Sequence, residues 1–469
     1  MQSTREARDA STLGSLPRPP GPHGRDKLRL MRTLFSEPAP ALDEICQRFG
    51  PVAGLSLGPV RTVIIGEPAV MREMFTMGAD AYRWGHRYNV VGVRFVVGKT
   101  SMIVSDGVDH ARRRGATQAA FARPRLDELI PTILLRTDAA IDSLVESTKP
   151  GDSVDLYPMA RSLILGITLE AFFGPRLAAR ADEFGALLQG PQDFIEAPAV
   201  RQLPHPFPYS RRRRVRKDRR AIDAIVDEEI ALRRAHPSLN RSDLLGSLLS
   251  DGSLSIDEIH DQAMSAIGAG YDTTSAALAW MLVCAGRAPD VWAMLRSEAD
   301  TVFGLLGDAV AEREPGRSLL TELTYAKRVV QESLRLHPAG LVAARMAARD
   351  LNVGGFSVKR GTLIVWSPHL AGRDAGTWFN PLDFDPNRFE GLTAEQQAEA
   401  DRAWVPFGRG PHMCLGFALA QMELTMAISR LAQHLDVAAL AHAIPKPVGM
   451  VVNRPVGGAL LQVSQRAPT

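Results

Sequence analysis

A single cysteine framed by glycines precedes the last strongly helical stretch of the chain. Residues 407–416 read FGRGPHMCLG, and a helical pattern follows at 417–431. Glycines on both sides allow the backbone to bend around a bulky planar partner and to point its amides at the sulfur of Cys414. The N-terminal end of the following helix favours a thiolate at this position. The residues therefore predict a ligand thiolate in a shaped loop, or a small buried hydrophobe, as most isolated cysteines are.

If Cys414 is a ligand thiolate, the chemistry of its loop suits one kind of metal site. A thiolate that accepts backbone hydrogen bonds in a shielded loop suits haem iron, and its electron donation favours cleavage of an O–O bond. The sequence has no CxxCH motif, so haem would not be covalently attached. The other cysteines, Cys46 and Cys284, lie far apart and form no CxxC pair, which argues against a disulfide framework and structural zinc.

Composition and charge restrict the class of protein and its partners. Of the 469 residues, 45% are hydrophobic and 23% are charged, as in ordinary globular proteins. The net charge of +3 gives no general attraction to nucleic acid. The N-terminus has no apolar stretch that could serve as a signal or anchor, and the apolar run at 276–286 is too short to span a bilayer. We therefore expect a cytoplasmic monomer without an integral membrane anchor and without a nucleic-acid partner.

The patterning along the chain predicts a mainly α protein with a small β portion, an α+β arrangement. Helical periodicity dominates residues 127–336, a hairpin is expected at 52–65, and strands are expected at 353–366 and 444–463. No internal repeat is present. We assign residues 1–27 to a polar, proline-rich N-terminal tail and residues 28–469 to a single domain.

The cysteine segment resembles the haem-binding loop of cytochromes P450. The matching positions are Phe407, Gly410, His412, Cys414 and Gly416. This resemblance extends over about residues 28–465, and it implies the P450 fold, with haem b between the long central helix and the loop and helix that carry the cysteine. It also implies that Phe407 packs near the sulfur and that His412 contacts a haem propionate.

A second segment, ESLR at 332–335, supports the same family. Glu332 and Arg335 share a helix face and can pair, which by itself is typical of many surface helices. The resemblance adds Arg388, from FDPNRF at 384–389, and implies a buried cluster behind the haem. Such a cluster is costly unless fully hydrogen-bonded, so we expect it to have a structural role.

The third segment is DGVDHARRR at 106–114. His110 and Arg114 lie four residues apart and can reach one anion from the same helix face. The resemblance implies that these two residues and Arg345 bind the haem propionates. We expect Arg112 and Arg113 to lie on a solvated basic face, where an acidic electron-donor protein could dock.

The fourth segment is AGYDTTS at 269–275, inside a helical run. Gly270 and the adjacent threonines are poor helix formers, which indicates either a helix packing contact or a functional distortion. The resemblance implies a widened turn, with Thr273 beside dioxygen and Asp272 relaying protons. One departure is visible at 367–378, where Gly372 stands in the place of a histidine and His369 lies three residues earlier.

The resemblance implies substrate contacts that are mainly apolar, and we therefore expect a lipophilic small-molecule substrate. The alternative is that these apolar residues belong to the core. Candidate regions include 82–97 and the helix near Phe194, and the individual candidates are Ala266, Ala269, Gly270, Leu341, Met450 and Val451.

The predicted activity is insertion of one atom of O2 into that molecule, by hydroxylation or epoxidation. Electrons would come from NAD(P)H through a ferredoxin or flavodoxin and its reductase. Phenol coupling, desaturation or a non-catalytic haem-binding role are the alternatives. The basic run RRRRVRKDRR at 211–220 predicts either a solvated helix face or a peripheral contact with an anionic membrane.

Overall fold

Helices account for most of the chain, as the periodicity predicts. The computed structural model describes residues 15–56, 60–84, 91–149, 151–197, 202, 210–304, 318–440 and 444–466. The α-helices are α1 (Gly24–Ser36), α2 (Pro38–Phe49), α3 (Pro68–Thr76), α4 (Val91–Val97), α5 (Gly107–Gln118), α6 (Arg123–Asp127), α7 (Ile130–Ser147), α8 (Tyr157–Phe173), α9 (Pro175–Ala178), α10 (Ala181–Ile195), α11 (Arg211–Ala235), α12 (Leu244–Asp251), α13 (Ile256–Gly286), α14 (Pro289–Gly304), α15 (Ser318–Glu322), α16 (Thr324–Leu336), α17 (Pro368–Ala371), α18 (Ala394–Ala403) and α19 (Phe417–His434). Short 3₁₀ turns lie at Ala79–Ala81, Met102–Val104, Ala119–Phe121, Pro237–Leu239 and Pro386–Phe389.

The strands form small sheets beside the helices. They are β1 (Val52–Gly54), β2 (Thr62–Ile65), β3 (Tyr82–Arg83), β4 (Asp152–Asp155), β5 (Ala343–Ala347), β6 (Leu351–Val353), β7 (Phe356–Val358), β8 (Leu363–Trp366), β9 (Leu435–Ala439), β10 (Pro447–Val448), β11 (Arg454–Pro455) and β12 (Leu460–Gln465). The largest sheet has the order β1-β2-β8-β5-β3, in which β2 and β8 run parallel and the other neighbours run antiparallel. The predicted hairpin is the β1–β2 pair, and residues 57–59 between the two strands lie outside the described residues.

Part of the expected N-terminal tail lies against two of these sheets, at β1 and at β7. α1 begins at Gly24, ahead of the boundary that we expected at residue 27. The amide of Ser357 donates to the carbonyl of Pro17 at 2.9 Å, and the amide of Gly54 donates to the carbonyl of Pro20 at 2.6 Å. An extended proline-rich segment is suited to such contacts, because its carbonyls remain free to accept.

The 31-residue helix α13 is the central element of the helical part. It begins with a capping box, in which Ser255 accepts from the Glu258 amide and the Glu258 carboxylate accepts from the Ser255 amide. Its C-terminal half, from Thr274 to Gly286, is buried throughout, and its most extensive contacts are with α8. Among the described residues, no helix combines the length and the apolarity that a membrane crossing requires.

A histidine on α13 provides a test of this packing. His260 Nε2 lies 3.2 Å from Asp223 and 3.7 Å from Asp227 on α11, and Nδ1 lies 3.5 Å from Asp261. Burial alone would lower the pKa of His260, but the nearby carboxylates of Asp223 and Asp261 raise it to about 9. Because the folded-state pKa exceeds the unfolded one, the stabilisation is complete below about pH 6.5 and is lost as the pH rises through 9.

We expect His260→Gln to lower the free energy of unfolding by about 2–3 kcal/mol near pH 7, with a much smaller effect above pH 9.5. Urea unfolding at several pH values measures this difference. The exposed His236→Gln is the control, and it should change little at any pH. A pH-independent effect of His260→Gln would contradict the assignment.

Candidate active site

A cavity of about 370 Å³ lies between α13 and the loop that leads into α19. Ala266, Ala269 and Thr273 line it from α13, while Phe407 and Cys414 line it from the loop. The walls are mainly apolar, and the exposed side chain of Cys414 is part of the lining. The two elements that the sequence singled out therefore meet around one space.

Backbone hydrogen bonds hold the cysteine loop in a tight turn. The amide of Cys414 donates to the carbonyl of Phe407 at 2.9 Å, and the amide of Met413 donates to Gly410, whose φ is +79°. Burial raises the pKa of the Cys414 thiol, while the amide of Gly416 and the charge of Arg114 lower it. Burial is the largest of these three influences on the thiol.

Cationic and aromatic side chains are collected at one end of the cavity. The His412 ring is stacked between His110, at 3.7 Å between centroids, and Trp84, at 4.2 Å. Arg114 and Trp84 are part of the cavity lining, and the guanidinium carbon of Arg345 lies behind the lining, 4.8 Å from the centre of the Trp84 ring. Burial, together with His110, Arg345 and Arg114, lowers the pKa of His412 to about 3.

This end of the cavity fits the two carboxylates of haem b. Arg345 is 3% exposed, its Nε has no hydrogen-bond partner, and burial lowers its pKa to about 10. Neither Arg114 nor Arg345 pairs with a carboxylate among the described residues. A buried guanidinium without an anion is unfavourable, and an anionic group would supply the missing acceptor. Together with Cys414 on the cavity wall, the residues present suit a haem ligated by a thiolate.

Glu332 and Arg335 of α16 meet Arg388 in a buried cluster. Glu332 accepts from Arg335 Nε at 2.7 Å and from Arg388 Nε at 2.9 Å, and both partners of the Glu332–Arg335 pair have fully buried side chains. Arg335 also donates to three backbone carbonyls, those of Gly372, Pro381 and Asp383. The cluster thus ties the irregular segment before the cysteine loop to α16.

The two residues of the expected proton relay, Asp272 and Thr273, face different surroundings. Thr273 lines the cavity, and its hydroxyl donates to the Ala269 carbonyl at 2.6 Å. Asp272 is not part of the lining; it is buried and forms an ion pair with Arg454, and its Oδ1 has no partner. α13 continues without a break through residues 269–275, where we expected a widened turn. Successive helical residues point about 100° apart, which explains why neighbours face different surroundings.

The substrate-contact candidates divide in a similar way. Ala266, Ala269, Gly270 and Val451 line the cavity. Leu341 does not, since it is fully buried in a core cluster with α1 and α2, and Met450 packs against the same cluster. Gly340 and Val342 line the cavity beside them. In extended backbone, adjacent side chains point to opposite sides, so one register step decides which residue reaches the cavity.

The expected solvated face of α5 is partly buried. Arg113 Nε donates to the Glu258 carboxylate at 2.9 Å, and Arg112 donates to the same carboxylate. The side chain of Arg113 is 11% exposed. These two arginines therefore attach α5 to the start of α13, and the prediction that both lie on a docking face was wrong.

The unusual glycine at position 372 has a steric reason. A Cβ there would come within 2.1 Å of the Arg335 carbonyl oxygen, so the close approach requires glycine. His369 does not replace the missing histidine at the cavity, because its Nε2 lies 3.0 Å from Asp43 and the residue is absent from the cavity lining.

The sequence analysis missed one acidic residue of the cavity. Glu423 on α19 is buried, lines the cavity, and has an Oε1 without a partner. Burial raises its pKa to about 8. An isolated carboxylate on the apolar face of a helix, nine residues after Cys414, was the available signal.

Comparisons with known proteins agree with this geometry. The family model described as cytochrome P450 matches residues 27–461. Cytochrome P450 139 of Mycobacterium tuberculosis is 32% identical over 399 residues, which cover 83% of this chain and 89% of that protein. Pentalenene oxygenase of Streptomyces avermitilis is 26% identical over 89% of this chain and 91% of its own length.

A solved structure and a further relative extend the comparison. Cyclooctat-9-en-7-ol 5-monooxygenase of Streptomyces melanosporofaciens is 28% identical over 82% of each chain. The structure of retinoic acid bound cyanobacterial CYP120A1 matches with a TM-score of 0.84 at 23% identity, covering 96% of this chain and 100% of that one, which shows a common fold. The chain belongs to the cytochrome P450 family and is an oxidoreductase of the monooxygenase type.

Proposed function

We propose that this enzyme inserts one oxygen atom of O2 into an apolar small molecule, by hydroxylation or epoxidation. The observation that carries the proposal is the mainly apolar cavity that Cys414 and Thr273 line from different elements. Two relatives are named for oxidising pentalenene and cyclooctat-9-en-7-ol, which supports a largely hydrocarbon substrate here. Phenol coupling or desaturation would use the same residues, and product analysis separates these outcomes.

The residues of the site have distinct roles in this proposal. Bound haem b would supply the iron at which dioxygen is activated with electrons from a partner protein. The Cys414 thiolate would hold the iron, and the cluster of His110, Arg114, Arg345 and His412 would hold the propionates.

The α13 side of the cavity would exclude water and place the Thr273 hydroxyl. Ala266, Ala269 and Gly270 are small, so an apolar substrate can approach closely, while Thr273 Oγ can donate a hydrogen bond and pass a proton. Asp272 would contribute to proton transfer from the side of α13 that faces away from the cavity, since its ion pair with Arg454 keeps the carboxylate out of the cavity.

An optical titration of the ferric protein tests the substrate class. The panel consists of sterols, fatty acids, terpenes and aromatic polyketides, and the readout is the low-spin to high-spin shift of the haem. A saturable shift with an apolar class supports the proposal and selects compounds for turnover. A response restricted to polar or charged compounds would contradict the apolar substrate.

Separate redox proteins would deliver the electrons. We infer a ferredoxin or flavodoxin with its reductase, and NAD(P)H as the ultimate donor, from the family to which the chain belongs. Reconstitution with each pair, scored by product formation, tests this inference. Turnover with peroxide alone and with neither pair would oppose it.

A peripheral membrane contact is a further proposal for α11. Several basic side chains of its first three turns are exposed, namely Arg211, Arg214, Arg216, Lys217 and Arg220. Arg212 and Arg219 instead turn inward, against the Phe95 ring and Asp223. The apolar segment LPHPFPY at 203–209, which precedes the basic run in the sequence, lies outside the described residues. Flotation with anionic and neutral vesicles at low salt tests the contact, and recovery of all protein in the unbound fraction opposes it.

Thr273→Ala should uncouple electron use from product formation. Without the hydroxyl, proton delivery in the cavity is impaired, and we expect the product formed per NAD(P)H to fall roughly tenfold while hydrogen peroxide release rises. The matched control is Ser275→Ala, because its hydroxyl makes the same type of bond within α13, to the Tyr271 carbonyl at 2.6 Å, away from the cavity. Equal coupling in Thr273→Ala and the parent enzyme would remove the role assigned to Thr273.

A further inference from the structure

Glu196 occupies a position that helix electrostatics alone disfavour. It is the C-terminal capping residue of α10, where the helix dipole is negative and a carboxylate is unfavourable. Its side chain is also largely enclosed, and burial raises the pKa of this carboxyl. Some other interaction must therefore stabilise the carboxylate here.

Three successive backbone amides supply that interaction. The amide of Val452 donates to Glu196 Oε1 at 2.6 Å, and the amides of Met450 and Val451 donate to Oε2 at 2.8 and 3.3 Å. Consecutive amides that converge on one side form an anion-binding concavity. Gly449 makes this turn possible, since its φ is +91° and a Cβ there would lie 2.2 Å from the Val452 carbonyl oxygen.

The same loop is attached to the cavity wall on its other side. The amide of Leu341 donates to the Met450 carbonyl at 3.2 Å, and the amide of Asn453 donates to the Ala339 carbonyl at 2.7 Å. Val451, between these attachments, lines the cavity together with Gly340. The Glu196 carboxylate thus binds the amides of residues 450–452, and one of these residues, Val451, lines the cavity.

We propose that Glu196 is a specificity-determining positioning residue, whose carboxylate gathers the amides of residues 450–452 and thereby sets how far Val451 extends into the cavity. The inference rests on the proposed use of this cavity for an apolar substrate. It also connects α10 to the cavity wall, so that a change at the end of α10 alters the space available to a bound molecule. Glu196 touches no reacting atom in this scheme, and it acts through the loop.

The first arm of the test measures the loop directly, in the haem-loaded full chain. Hydrogen–deuterium exchange of the amides of residues 450–452 should become roughly 10- to 100-fold faster in Glu196→Gln and Glu196→Ala, because a charge-assisted acceptor is lost. Glu183→Gln is the matched control, since this carboxylate lies on the same helix, is exposed, and pairs with Arg180. Unchanged exchange in both Glu196 variants overturns the proposal.

The second arm measures size discrimination without any knowledge of the substrate. Imidazole and 4-phenylimidazole bind the ferric iron and differ in bulk on the cavity side. We expect the ratio of their dissociation constants to change at least about fivefold in Glu196→Gln and to stay constant in Glu183→Gln. In a Val451→Ala background, Glu196→Gln should have no further effect on this ratio.

The outcomes are separable. Faster exchange with an unchanged ratio would show a purely structural role and overturn the assignment of specificity. Faster exchange with a changed ratio supports the proposal, even if no compound of the substrate panel shifts the spin state. The absence of any spin-state shift with the substrate panel would count against the proposed function, and the role of Glu196 would still stand.

Discussion

Replacement of Cys414 by alanine is expected to abolish both the haem-thiolate absorption spectrum and product formation. Cys414 is the cysteine that lines the cavity, in a loop whose backbone turns around the sulfur. Burial raises the pKa values of Cys46 and Cys284 to about 12, and neither residue lines the cavity. No other thiolate is therefore placed to hold the iron among the described residues.

The matched control is Cys284→Ala, which removes a buried thiol from α13 without touching the cavity. We expect this variant to retain the thiolate spectrum and most of its activity. The ferrous carbon monoxide spectrum and the haem content of purified protein are the measurements. A thiolate-type spectrum that survives in Cys414→Ala would overturn the ligand assignment and, with it, the interpretation of the whole cavity.

Arg335→Ala is expected to prevent accumulation of a folded, haem-loaded protein, or to lower its free energy of unfolding by about 3–5 kcal/mol. The substitution leaves the Glu332 carboxylate buried with part of its charge uncompensated, and removing one partner of a buried ion pair typically has an effect of this size. It also removes donors from the carbonyls of Pro381 and Asp383, and so loosens the segment before the cysteine loop.

A pair with the same sequence spacing provides the control. Arg180 and Glu183 also lie three residues apart, at 2.8 Å, but their side chains are 35% and 50% exposed. Arg180→Ala should therefore change the free energy of unfolding by about 0.5 kcal/mol or less. Yields, haem content and urea unfolding distinguish the two variants. Equal, small effects would show that burial does not make the Glu332 cluster indispensable.

The fold class and the proposed metal ligand, Cys414, were accessible from local patterns. α13 and α19 have long apolar faces, and α13 has a capping box at its start, so their existence follows from neighbouring residues. The segment around Cys414 combines glycines, a cysteine and a helix start within ten residues. Such short-range patterns can be recognised without knowledge of the rest of the chain.

Which side chains face the cavity depended on the tertiary structure. Asp272 and Thr273 are neighbours, yet one pairs with Arg454 and the other lines the cavity. Val451 reaches the cavity while Met450 joins the core, since one register step reverses the side-chain direction. A pattern of residue types does not fix how a helix is rotated about its axis, or which of two adjacent residues in extended backbone faces the cavity.

The sequence by itself therefore determined the mainly helical fold, the cysteine loop and the identity of the residues that could form the Glu332 cluster. Only the tertiary structure decided that Glu423 faces the cavity, that Arg113 attaches to Glu258, and that Glu196 gathers three amides from a loop about 250 residues away. The physical reason is the range of the interactions. Helix formation and loop bending are set by near neighbours in the chain, whereas burial, ion pairing and cavity lining arise where distant segments pack together.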